Sequence, residues 1–360
     1  MRDVFLTDAE LVCGFGFGKE LAQKAVFRGE TAFSPIRRFP VDFFACTEAA
    51  VVPGAEERKR REEESLCRPM IEFLAETVRD LPEQTPFLLA STVGEIDRLS
   101  PNQPDTLHSL LKSVRESFRK SNGCIVSGAC ASASVALDRA YRMVAGGVAE
   151  QVIVAACDLV SEFAFSGFYS LGAMSAERPR PYDRDRSGLY LGEAAGVVIL
   201  SARRGEFPVR VTGTGMSGDA RHITAPQSDG QPLAAAMRQA LSGTDPETIG
   251  CVLGHGTGTL YNDSMEIAAI RSVLGDHTPL ASVKANCGHT LGASGILQAV
   301  LALEVLRRKE LFPQAGLRNP ERGAEGMVSA EIQPVRTRRI LSLNSGFGGI
   351  NAALALEALE

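Results

Sequence analysis

The sequence predicts an α/β protein built from two similar halves. Short apolar runs bounded by glycine alternate with stretches of helical periodicity, which is typical of buried strands connected by helices. A strand, a glycine-rich turn and a later helix begin near Val4 and again near Val209. The 360 residues are 44% apolar, which is ample for a core of that size.

The apolar runs give the strands in chain order. The predicted strands are Phe87–Thr92, Gln151–Cys157, Ala194–Ser201, Pro208–Gly215, Cys251–Thr259 and Arg339–Gly346. A helix is predicted over Ser132–Ala145, because its apolar side chains fall roughly on one side and Gly146–Gly147 follows as a stop signal. A second helix is predicted from Ala293 to Arg308.

Composition excludes several classes of protein. The net charge is −5 and no basic tail is present, which argues against a general nucleic-acid-binding protein. Eight cysteines are spread without a CxxC pair, as expected for reduced thiols. We predict a cytoplasmic protein with neither a signal peptide nor a membrane span, because the N-terminus lacks a basic flank and no run of about eighteen apolar residues occurs.

The stretch VSGACASASVAL, Val126–Leu137, contains a candidate nucleophile. If a strand ends at Val126 and a helix begins at Ser132, Cys130 lies on a sharp strand-to-helix turn that small neighbours allow to fold tightly. The nearby helix N-terminus favours the thiolate and can hold a developing oxyanion. The residues alone equally allow a small buried cysteine.

Two of the five histidines strengthen the case for a site. His255, in GHGTGTLYND, and His289, in SVKANCGHTLGASG, both lie at strand-to-loop transitions among glycines. Such surroundings allow a ligand to approach closely, and neutral imidazoles can donate hydrogen bonds to it. We therefore predict that Cys130, His255 and His289 share one site.

Five motifs carry a family resemblance, and in order they are GACASAS, RPYDRDRSGLYLGEAAG, HGTGTLYND, VKANCGHTLGASG and NSGFGGIN. In order and approximate spacing they resemble β-ketoacyl synthases, the condensing enzymes of fatty-acid and polyketide synthesis. The resemblance runs from about Gly123 to Leu356 and is loose before that.

The resemblance implies the thiolase-like fold, in which two similar halves form five layers, α-β-α-β-α. We expect halves at 1–205, with the nucleophile, and 206–360, with both histidines, packed as one unit.

The resemblance also implies a role for each matching residue. Cys130 would accept the acyl group, while His255 and His289 would drive decarboxylation of the extender and stabilise the enolate. Lys284 would pair with Glu266 to hold the surroundings of the second histidine, although sequence alone leaves Lys284 equally open as an ordinary surface lysine.

The glycine-rich C-terminal loop and the threonines of HGTGT match further family residues. The backbone N–H of Phe347 would join that of Cys130 in an oxyanion hole, and its ring would gate the acyl tunnel. Thr257 and Thr259 would bind the phosphopantetheine arm that a carrier protein delivers. In RPYDRDRSGLYLGEAAG we interpret Asp183, Arg186 and Glu193 as structural polar ties beneath the site.

The implied reaction is a decarboxylative Claisen condensation of an acyl group on Cys130 with malonyl-carrier protein. It requires no metal and no organic cofactor, and Cys287 and His289 lack a partner pair for a metal site. The implied partners are acyl carrier protein and a second subunit. We expect a homodimer formed through the strand near Gly123–Ser127, with a heterodimer alongside a related synthase-like subunit as the alternative.

Two other functions compete with this interpretation. A silent subunit of the chain-length-factor kind typically lacks the cysteine, which this chain retains together with both histidines. A thiolase-like acyltransferase would have a second catalytic cysteine near the C-terminus, and no cysteine follows Cys287. The family's condensing enzymes that start from coenzyme A thioesters usually carry asparagine in place of the second histidine, so His289 disfavours them.

The chain departs from the family in three ways that affect the substrate. The region before Cys130 is short, and Ser345 and Ile350 replace residues common in the C-terminal loop, so the length of the acyl group is not predicted.

An acidic carrier would need a local basic patch. The sequence does not choose among the candidates, which are Arg203–Arg204, Arg307–Lys309 and the group Arg336, Arg338 and Arg339.

Overall fold

The computed structural model describes residues 2–55, 57–59, 61 and 63–359. Its strands are β1 Phe5–Cys13, β2 Gly16–Phe17, β3 Ser34–Pro35, β4 Glu48–Ala49, β5 Phe87–Ala90, β6 Cys124–Val126, β7 Gln151–Asp158, β8 Ala194–Ser201, β9 Val209–Gly218, β10 Ile249–Leu253, β11 Leu280–Ala281, β12 Glu310–Leu311, β13 Gln333–Pro334, β14 Arg339–Gly346 and β15 Ile350–Ala358.

The helices connect these strands. They are α1 Lys19–Phe27, α2 Cys67–Leu74, α3 Thr106–Phe118, α4 Ser132–Ala145, α5 Glu162–Ser170, α6 Gln231–Ala240, α7 Leu260–Leu274, α8 Lys284–Cys287 and α9 Ser294–Arg308. Short 3₁₀ turns lie at Ala75–Val78, Ile96–Arg98, Pro246–Thr248 and Leu291–Ala293.

The two halves of the chain form sheets with the same strand order. The first half-sheet runs β6-β5-β7-β8-β1 and the second runs β11-β10-β14-β15-β9. In each, the first three strands are parallel and the last two are antiparallel to their neighbours. The half-sheets join where Phe5 and Leu6 pair with Arg210 and Val209. This repetition explains the internal echo in the sequence.

The helices form three layers around the two half-sheets. Helices α4 and α9 lie in the middle, because each contacts strands of both halves, and nearly all of α9 is buried. Helices α2 and α3 cover the outer face of the first half-sheet, and α6 and α7 cover that of the second. The five-layer α-β-α-β-α fold predicted from the family resemblance is confirmed.

The parallel strands direct their carboxyl ends to one region of the molecule. Strands β6, β10 and β14 lead into the segments that carry Cys130, His255 and Phe347, and the chain after β11 carries Lys284 and His289. The segments after β10, β11 and β14 meet because the carboxyl ends of parallel neighbouring strands share an edge, and the turn after β6 brings Cys130 to them from the other half-sheet.

Most predicted elements match the structure closely, and one strand differs. β8, β14 and α4 have the predicted bounds, and α9 begins one residue later than predicted. The strand predicted over Cys251–Thr259 ends at Leu253, because the N–H groups of residues 255–257 bond to carboxylates of α7 rather than to a strand. Within the described ranges, no helix has the length and apolar character needed to cross a bilayer.

Candidate active site

Cys130 lies on the tight turn between β6 and α4. The turn is closed by Ser132, whose hydroxyl accepts from the Gly128 N–H at 2.9 Å and donates to the Ala129 carbonyl at 2.6 Å. Ala129 has a φ of 49°, in the left-handed region that larger or branched residues avoid. The small residues around the cysteine are therefore needed for the turn that presents it.

The electrostatics of Cys130 differ from the prediction of a poised thiolate. Burial raises the pKa of the Cys130 thiol to about 11. The charge of Lys284 and the backbone N–H groups of Phe347 and of Cys130 itself act in the opposite direction but are outweighed. The resting cysteine is a thiol, because desolvation exceeds the combined effect of Lys284 and the two amide donors.

The loop after β14 packs directly against the nucleophile turn. A Cβ atom on Gly346 would lie 3.0 Å from the Gly128 carbonyl oxygen and 3.3 Å from the Cys130 nitrogen, so only glycine allows this approach. The approach brings the Phe347 N–H to the sulfur of Cys130, beside the N–H of Cys130 itself. Two amide donors therefore converge on the reacting atom.

The loop after β10 places His255 beside Lys284. The Nζ of Lys284 donates to the His255 carbonyl and lies 3.2 Å from the ring Nδ1. Because an ammonium group can only donate, Nδ1 accepts and the ring proton sits on Nε2. Burial, reinforced by the charge of Lys284, lowers the pKa of His255 well below its usual value, so this imidazole is neutral.

Glu266 binds the same loop from the other side. Its carboxylate accepts the N–H of His255 at 2.6 Å, that of Gly256 at 2.8 Å and the hydroxyl of Tyr182 at 2.8 Å. Burial raises the pKa of Glu266 to about 7 and lowers that of Lys284 to about 8. The predicted direct pair is therefore replaced by a link through the His255 backbone, and the hydrogen bonds of the Lys284 ammonium group go to the first histidine. Lys284 is also not a surface lysine, since it is buried.

His289 faces His255 across the site. The two ring centroids are 5.5 Å apart with planes at 88°. The Nδ1 of His289 accepts the N–H of Leu291 at 3.2 Å, which leaves the proton on Nε2. Burial lowers the pKa of His289 well below its usual value, with Lys284 adding to the effect. Both rings are therefore neutral and carry an Nε2–H donor.

Thr257 and Thr259 line the same cavity as the histidines. Their hydroxyls are 2.8 Å apart, and the Thr257 N–H donates to the buried carboxylate of Asp263 at 2.9 Å. Asp263 also accepts the Tyr182 N–H at 2.8 Å. The threonine hydroxyls thus stand on a loop that a buried acid holds in place.

Two cavities meet at Cys130. One has a volume of about 420 Å³ and is lined by Cys130, both histidines and both threonines. The other, of about 780 Å³, is lined mainly by apolar atoms and extends along α5. Phe168 and Phe347 line both cavities and stack with centroids 5.5 Å apart. This aromatic pair separates the two spaces.

The three polar residues predicted as structural ties make buried links. Asp183 accepts the N–H groups of Arg318 and Asn319 at 2.6 and 2.7 Å. Arg186 donates to the carbonyls of Thr259 and Leu260 on the threonine loop. Glu193 accepts the Val52 and Val160 N–H groups and pairs with Arg38.

The three basic groups considered for carrier docking lie away from the cavity. Arg339 begins β14, whose other end reaches the site, so the two ends are about 24 Å apart at the rise of a strand. Arg307–Lys309 ends α9, about 20 Å from the helix start near His289. Arg203–Arg204 follows β8 at the end opposite the site. None of the three can surround the mouth of the cavity.

The unusual residues of the C-terminal loop have partners. The hydroxyl of Ser345 donates to Asn351 Oδ1 at 2.7 Å, and both residues line the 420 Å³ cavity. Ile350 packs towards Gly128, where an added Cβ would lie 3.5 Å from the isoleucine Cδ1. The substitutions therefore fit the cavity wall and the nucleophile turn.

Sequence reasoning missed several residues that build the site. Tyr182 and Asp263 stand within quoted motifs, so their positions carried a signal that was not used. Asn344, the first residue of the quoted motif NSGFGGIN, also contacts the His255 ring. Phe168 carried no signal, because only the fold brings α5 against Phe347. Asp158 ties Thr92 and Gly292 together beneath Cys130 and is likewise visible only in three dimensions.

Comparison with known proteins gives the family. The beta-ketoacyl synthase N-terminal domain matches residues 121–204, and the beta-ketoacyl synthase C-terminal domain matches residues 209–318. Together these matches cover more than half of the chain. The chain belongs to the β-ketoacyl synthase family. It is a condensing enzyme, and so an acyltransferase.

Relatives of this β-ketoacyl synthase are similar along its length. The 3-oxoacyl-[acyl-carrier-protein] synthase 2 of Rhizobium meliloti (strain 1021) is 29% identical over an alignment of 420 residues that covers 99% of each chain. The enzyme of the same name from Synechocystis sp. (strain ATCC 27184 / PCC 6803 / Kazusa) is 33% identical over 269 residues, covering 69% of this chain and 64% of its own.

Solved structures agree with the fold. The structure of the ishigamide ketosynthase/chain length factor has 25% identity and a TM-score of 0.88, with all of both chains covered. A type II PKS acyl-carrier protein in complex with its ketosynthase has 20% identity and a TM-score of 0.86, also with all of both chains covered. This second likeness bears on the fold alone.

Proposed function

We propose that this synthase takes an acyl group onto Cys130 and condenses it with the malonyl group of malonyl-carrier protein, giving β-ketoacyl-carrier protein and CO₂. One observation supports this above all. The thiol of Cys130, the Nε2–H donors of His255 and His289 and the amide of Phe347 all face one cavity. That set suits a thioester nucleophile, an oxyanion and an enolate in the same space.

In the first step the sulfur of Cys130 attacks the thioester carbonyl of an acyl-carrier protein. The amides of Phe347 and Cys130 donate to the oxyanion as it forms. The carrier thiol leaves with the proton that Cys130 loses. The acyl group is thereby transferred from the carrier sulfur to the Cys130 sulfur, and no net charge accumulates. Because burial raises the pKa of the Cys130 thiol to about 11, the proposed step transfers this proton as the sulfur attacks.

In the second step the malonyl group loses CO₂ and its electron pair passes to the thioester carbonyl as an enolate. The neutral rings of His255 and His289 donate their Nε2–H groups to that oxygen. The enolate carbon then attacks the acyl carbonyl on Cys130, which releases the cysteine sulfur as a thiolate. The thiolate takes one proton from water and returns to the resting thiol. Lys284 and Glu266 act as positioning residues, since both bond to the His255 backbone.

The proposal assigns each cavity one part of the substrate. The 420 Å³ cavity receives the phosphopantetheine arm of the carrier protein, with Thr257 and Thr259 as hydrogen-bond partners. The 780 Å³ cavity holds the acyl chain, and Phe347 gates the passage between them. The chemistry assigns no step to a metal or an organic cofactor. Fatty-acid or polyketide synthesis is the pathway class that consumes the product.

We further propose that the enzyme acts as a dimer in the cytoplasm. Strand β6 ends the first half-sheet with its outer side unpaired among the described strands, and such an edge favours pairing with another chain. Phe163 and Leu171, which line the nearby acyl cavity, are 65% and 54% exposed. A second copy is the expected partner, and a related synthase-like subunit is the alternative. Eight free cysteines fit a reducing compartment.

The experiment is an assay with acyl-carrier protein and with malonyl-carrier protein that carries ¹⁴C in its free carboxylate. The proposal expects β-ketoacyl-carrier protein and labelled CO₂ in equal amounts. Acyl transfer without either product would reject the condensation and favour a simple acyltransferase. A series of acyl groups in the same assay gives the preferred chain length.

Gly167 is predicted to control the length of the acyl group. It lies on α5 in the wall of the 780 Å³ cavity, and an added Cβ would meet no atom within 4 Å. Leucine in its place is expected to occupy acyl space and to shorten the longest chain accepted, because each excluded methylene loses about 0.8 kcal/mol of burial, roughly fourfold in affinity. Gly167→Ala serves as the matched control with a smaller effect.

The measurement is kcat/KM for acyl groups of increasing length, with the oligomeric state checked by size-exclusion chromatography. An unchanged length profile in a Gly167→Leu enzyme that keeps its oligomeric state would show that the acyl chain lies elsewhere.

Tyr182 is predicted to set the acidic limit of activity. Its hydroxyl donates to Glu266, whose carboxylate must be ionised to accept the N–H groups of the His255 loop, so activity falls as the pH drops through the pKa of Glu266. Tyr182→Phe removes a donor to the charged form and raises that pKa. A hydrogen bond to a charged group contributes about 1.5–3 kcal/mol, so the acidic limit should rise by about 1–2 pH units.

The pH dependence of kcat/KM measures this shift. Tyr190→Phe is the matched control, because Tyr190 is also buried but donates to the Ala176 carbonyl at 3.3 Å. Equal profiles for the two variants would contradict the role of the Tyr182 hydroxyl.

A further inference from the structure

Asp158 is a buried acid whose carboxylate is surrounded by hydrogen-bond donors. It ends β7 and is 0% exposed. Its Oδ1 accepts the Ser91 hydroxyl at 2.7 Å and the Val93 N–H at 3.1 Å, and the Thr92 N–H lies 3.0 Å from both carboxylate oxygens. Its Oδ2 accepts the Thr92 hydroxyl at 2.9 Å and the Gly292 N–H at 2.7 Å. Burial raises the pKa of Asp158, and these donors act in the opposite direction because they stabilise the ionised acceptor.

The bond from Gly292 to Asp158 lies one residue from the bond that sets the tautomer of His289. The Leu291 N–H donates to the Nδ1 of His289 at 3.2 Å. The Ser294 hydroxyl lies 3.4 Å from the same nitrogen, but a hydroxyl can donate or accept and so does not specify a tautomer. Only the Leu291 N–H, which must donate, makes Nδ1 an acceptor and leaves the ring proton on Nε2.

The turn that carries this N–H needs support from its surroundings. Leu291 has a φ of 50°, in the left-handed region that a leucine rarely adopts, and such a conformation persists only where neighbouring contacts hold it. A Cβ atom on Gly292 would lie 2.6 Å from the Oδ2 of Asp158, so the turn packs directly on the carboxylate. The carboxylate of Asp158 is therefore the contact that fixes the backbone beside Leu291.

The remaining bonds hold Asp158 itself in one orientation. They come from the segment after β5, in which Thr92 and Val93 line the 780 Å³ cavity. The Ser91 hydroxyl donates to Asp158 and also accepts the Gly94 N–H at 2.9 Å, which fixes the hydroxyl in turn. A carboxylate that ends a central strand and is bound from two loops is a rigid support, and groups of this kind keep reacting side chains in place.

We propose that Asp158 is a positioning residue for His289: through Gly292 it holds the Leu291 turn, and so keeps His289 in the tautomer whose Nε2–H faces the cavity. This inference rests on the proposed function, in which that N–H donates to the enolate. Acylation of Cys130 does not use the His289 ring. The loss of Asp158 should therefore appear in decarboxylation and not in acylation.

The test replaces Asp158 by asparagine, which has nearly the same shape but presents an NH₂ group to donors that need an acceptor. An imidazole held in the wrong tautomer can cost an enzyme about 10⁴-fold in kcat, and partial loss of control costs less. We expect CO₂ release from malonyl-carrier protein to fall at least about tenfold, while single-turnover acylation of Cys130 changes less than about threefold.

NMR of protein labelled with ¹⁵N and ¹³C in histidine measures the tautomer directly, without reference to activity. The chain has five histidines, and His289→Ala identifies the signals of His289. We expect the neutral Nε2–H form in the wild type and a substantial fraction of the Nδ1–H form in Asp158→Asn. A variant that only loosens the fold would not change the tautomer in this way.

Asp138→Asn is the matched control. Asp138 is also buried, but it accepts the Thr214 hydroxyl at 2.6 Å and pairs with Arg142 instead of binding the histidine turn. Its substitution should leave the ratio of CO₂ release to acylation unchanged. Ser91→Ala is a second variant, which keeps the carboxylate and removes one donor to it. We expect it to lower CO₂ release by about two- to tenfold with acylation unchanged.

The selective loss of CO₂ release and the change of tautomer must appear together in Asp158→Asn. Equal losses in both steps, unchanged CO₂ release, or a His289 ring that keeps its wild-type tautomer would overturn the inference. If Asp158→Asn does not fold, the same criteria apply to Ser91→Ala. Failure of the wild type to release CO₂ would instead overturn the proposed function, and the NMR result would still show whether Asp158 sets the tautomer.

Discussion

Replacing Cys130 by alanine is expected to reduce β-ketoacyl formation by at least about 10³-fold while CO₂ is still released from malonyl-carrier protein. Condensation needs an acyl group on a sulfur at the junction of the two cavities, and Cys130 provides it. Decarboxylation needs the Nε2–H donors of His255 and His289, which the substitution leaves in place. The variant should therefore separate the two halves of the reaction.

The measurement follows labelled CO₂ and β-ketoacyl product from the same reaction mixture. Cys124→Ala is the control, since Cys124 is exposed on the edge strand β6 and should be dispensable for chemistry. Full condensation by Cys130→Ala would remove the central step of the mechanism. Loss of CO₂ release together with condensation would show instead that the cysteine supports the malonyl site as well.

Replacing His289 by alanine is expected to give the opposite pattern. The acyl group should still reach Cys130, because the amides of Phe347 and Cys130 remain, but decarboxylation should fall by about 10²–10⁴-fold. His289 is buried, neutral and fixed as the Nε2–H tautomer by the Leu291 N–H, so its loss removes one of the two donors to the enolate.

Single-turnover acylation and CO₂ release measure the two halves of this prediction separately. His108→Ala is the control for removal of a histidine, because the His108 side chain is 74% exposed on α3. If His289→Ala failed to accept an acyl group while remaining folded, the ring would have to act in the first step, contrary to the assignment made here.

The sequence was sufficient for some elements because their signals are local. β14 is an apolar run ended by glycine, and α4 has helical periodicity with a glycine stop, so both match their predicted bounds. Strand order has no such local signal. β1 pairs with β8, whose residues lie almost two hundred positions later, and apolar periodicity does not specify a partner.

The candidate site was likewise only partly predictable from the sequence. The motifs predicted that Cys130, His255 and His289 would share a cavity, and the structure brings them together. The pKa of Cys130 was not predictable, because it depends on burial beneath a loop from the far end of the chain. The turn around Cys130 favours a thiolate when considered alone, whereas the folded environment favours the thiol.

The carrier-docking surface stayed open in the sequence for a related physical reason. Clusters such as Arg336, Arg338 and Arg339 are visible in the sequence, but the end of the sheet on which they lie is not.

Intact-protein mass spectrometry tests the central claim most directly. The enzyme is incubated with acyl-carrier protein, and its peptides are then mapped to locate the acyl group among the eight cysteines. We expect a single acyl group on Cys130 and none on the Cys130→Ala variant. When malonyl-carrier protein is added, this acyl group should become part of β-ketoacyl-carrier protein. Absence of an adduct with every acyl group would contradict the proposed mechanism and favour a silent partner subunit. An adduct on another cysteine that is competent for condensation would also contradict the mechanism.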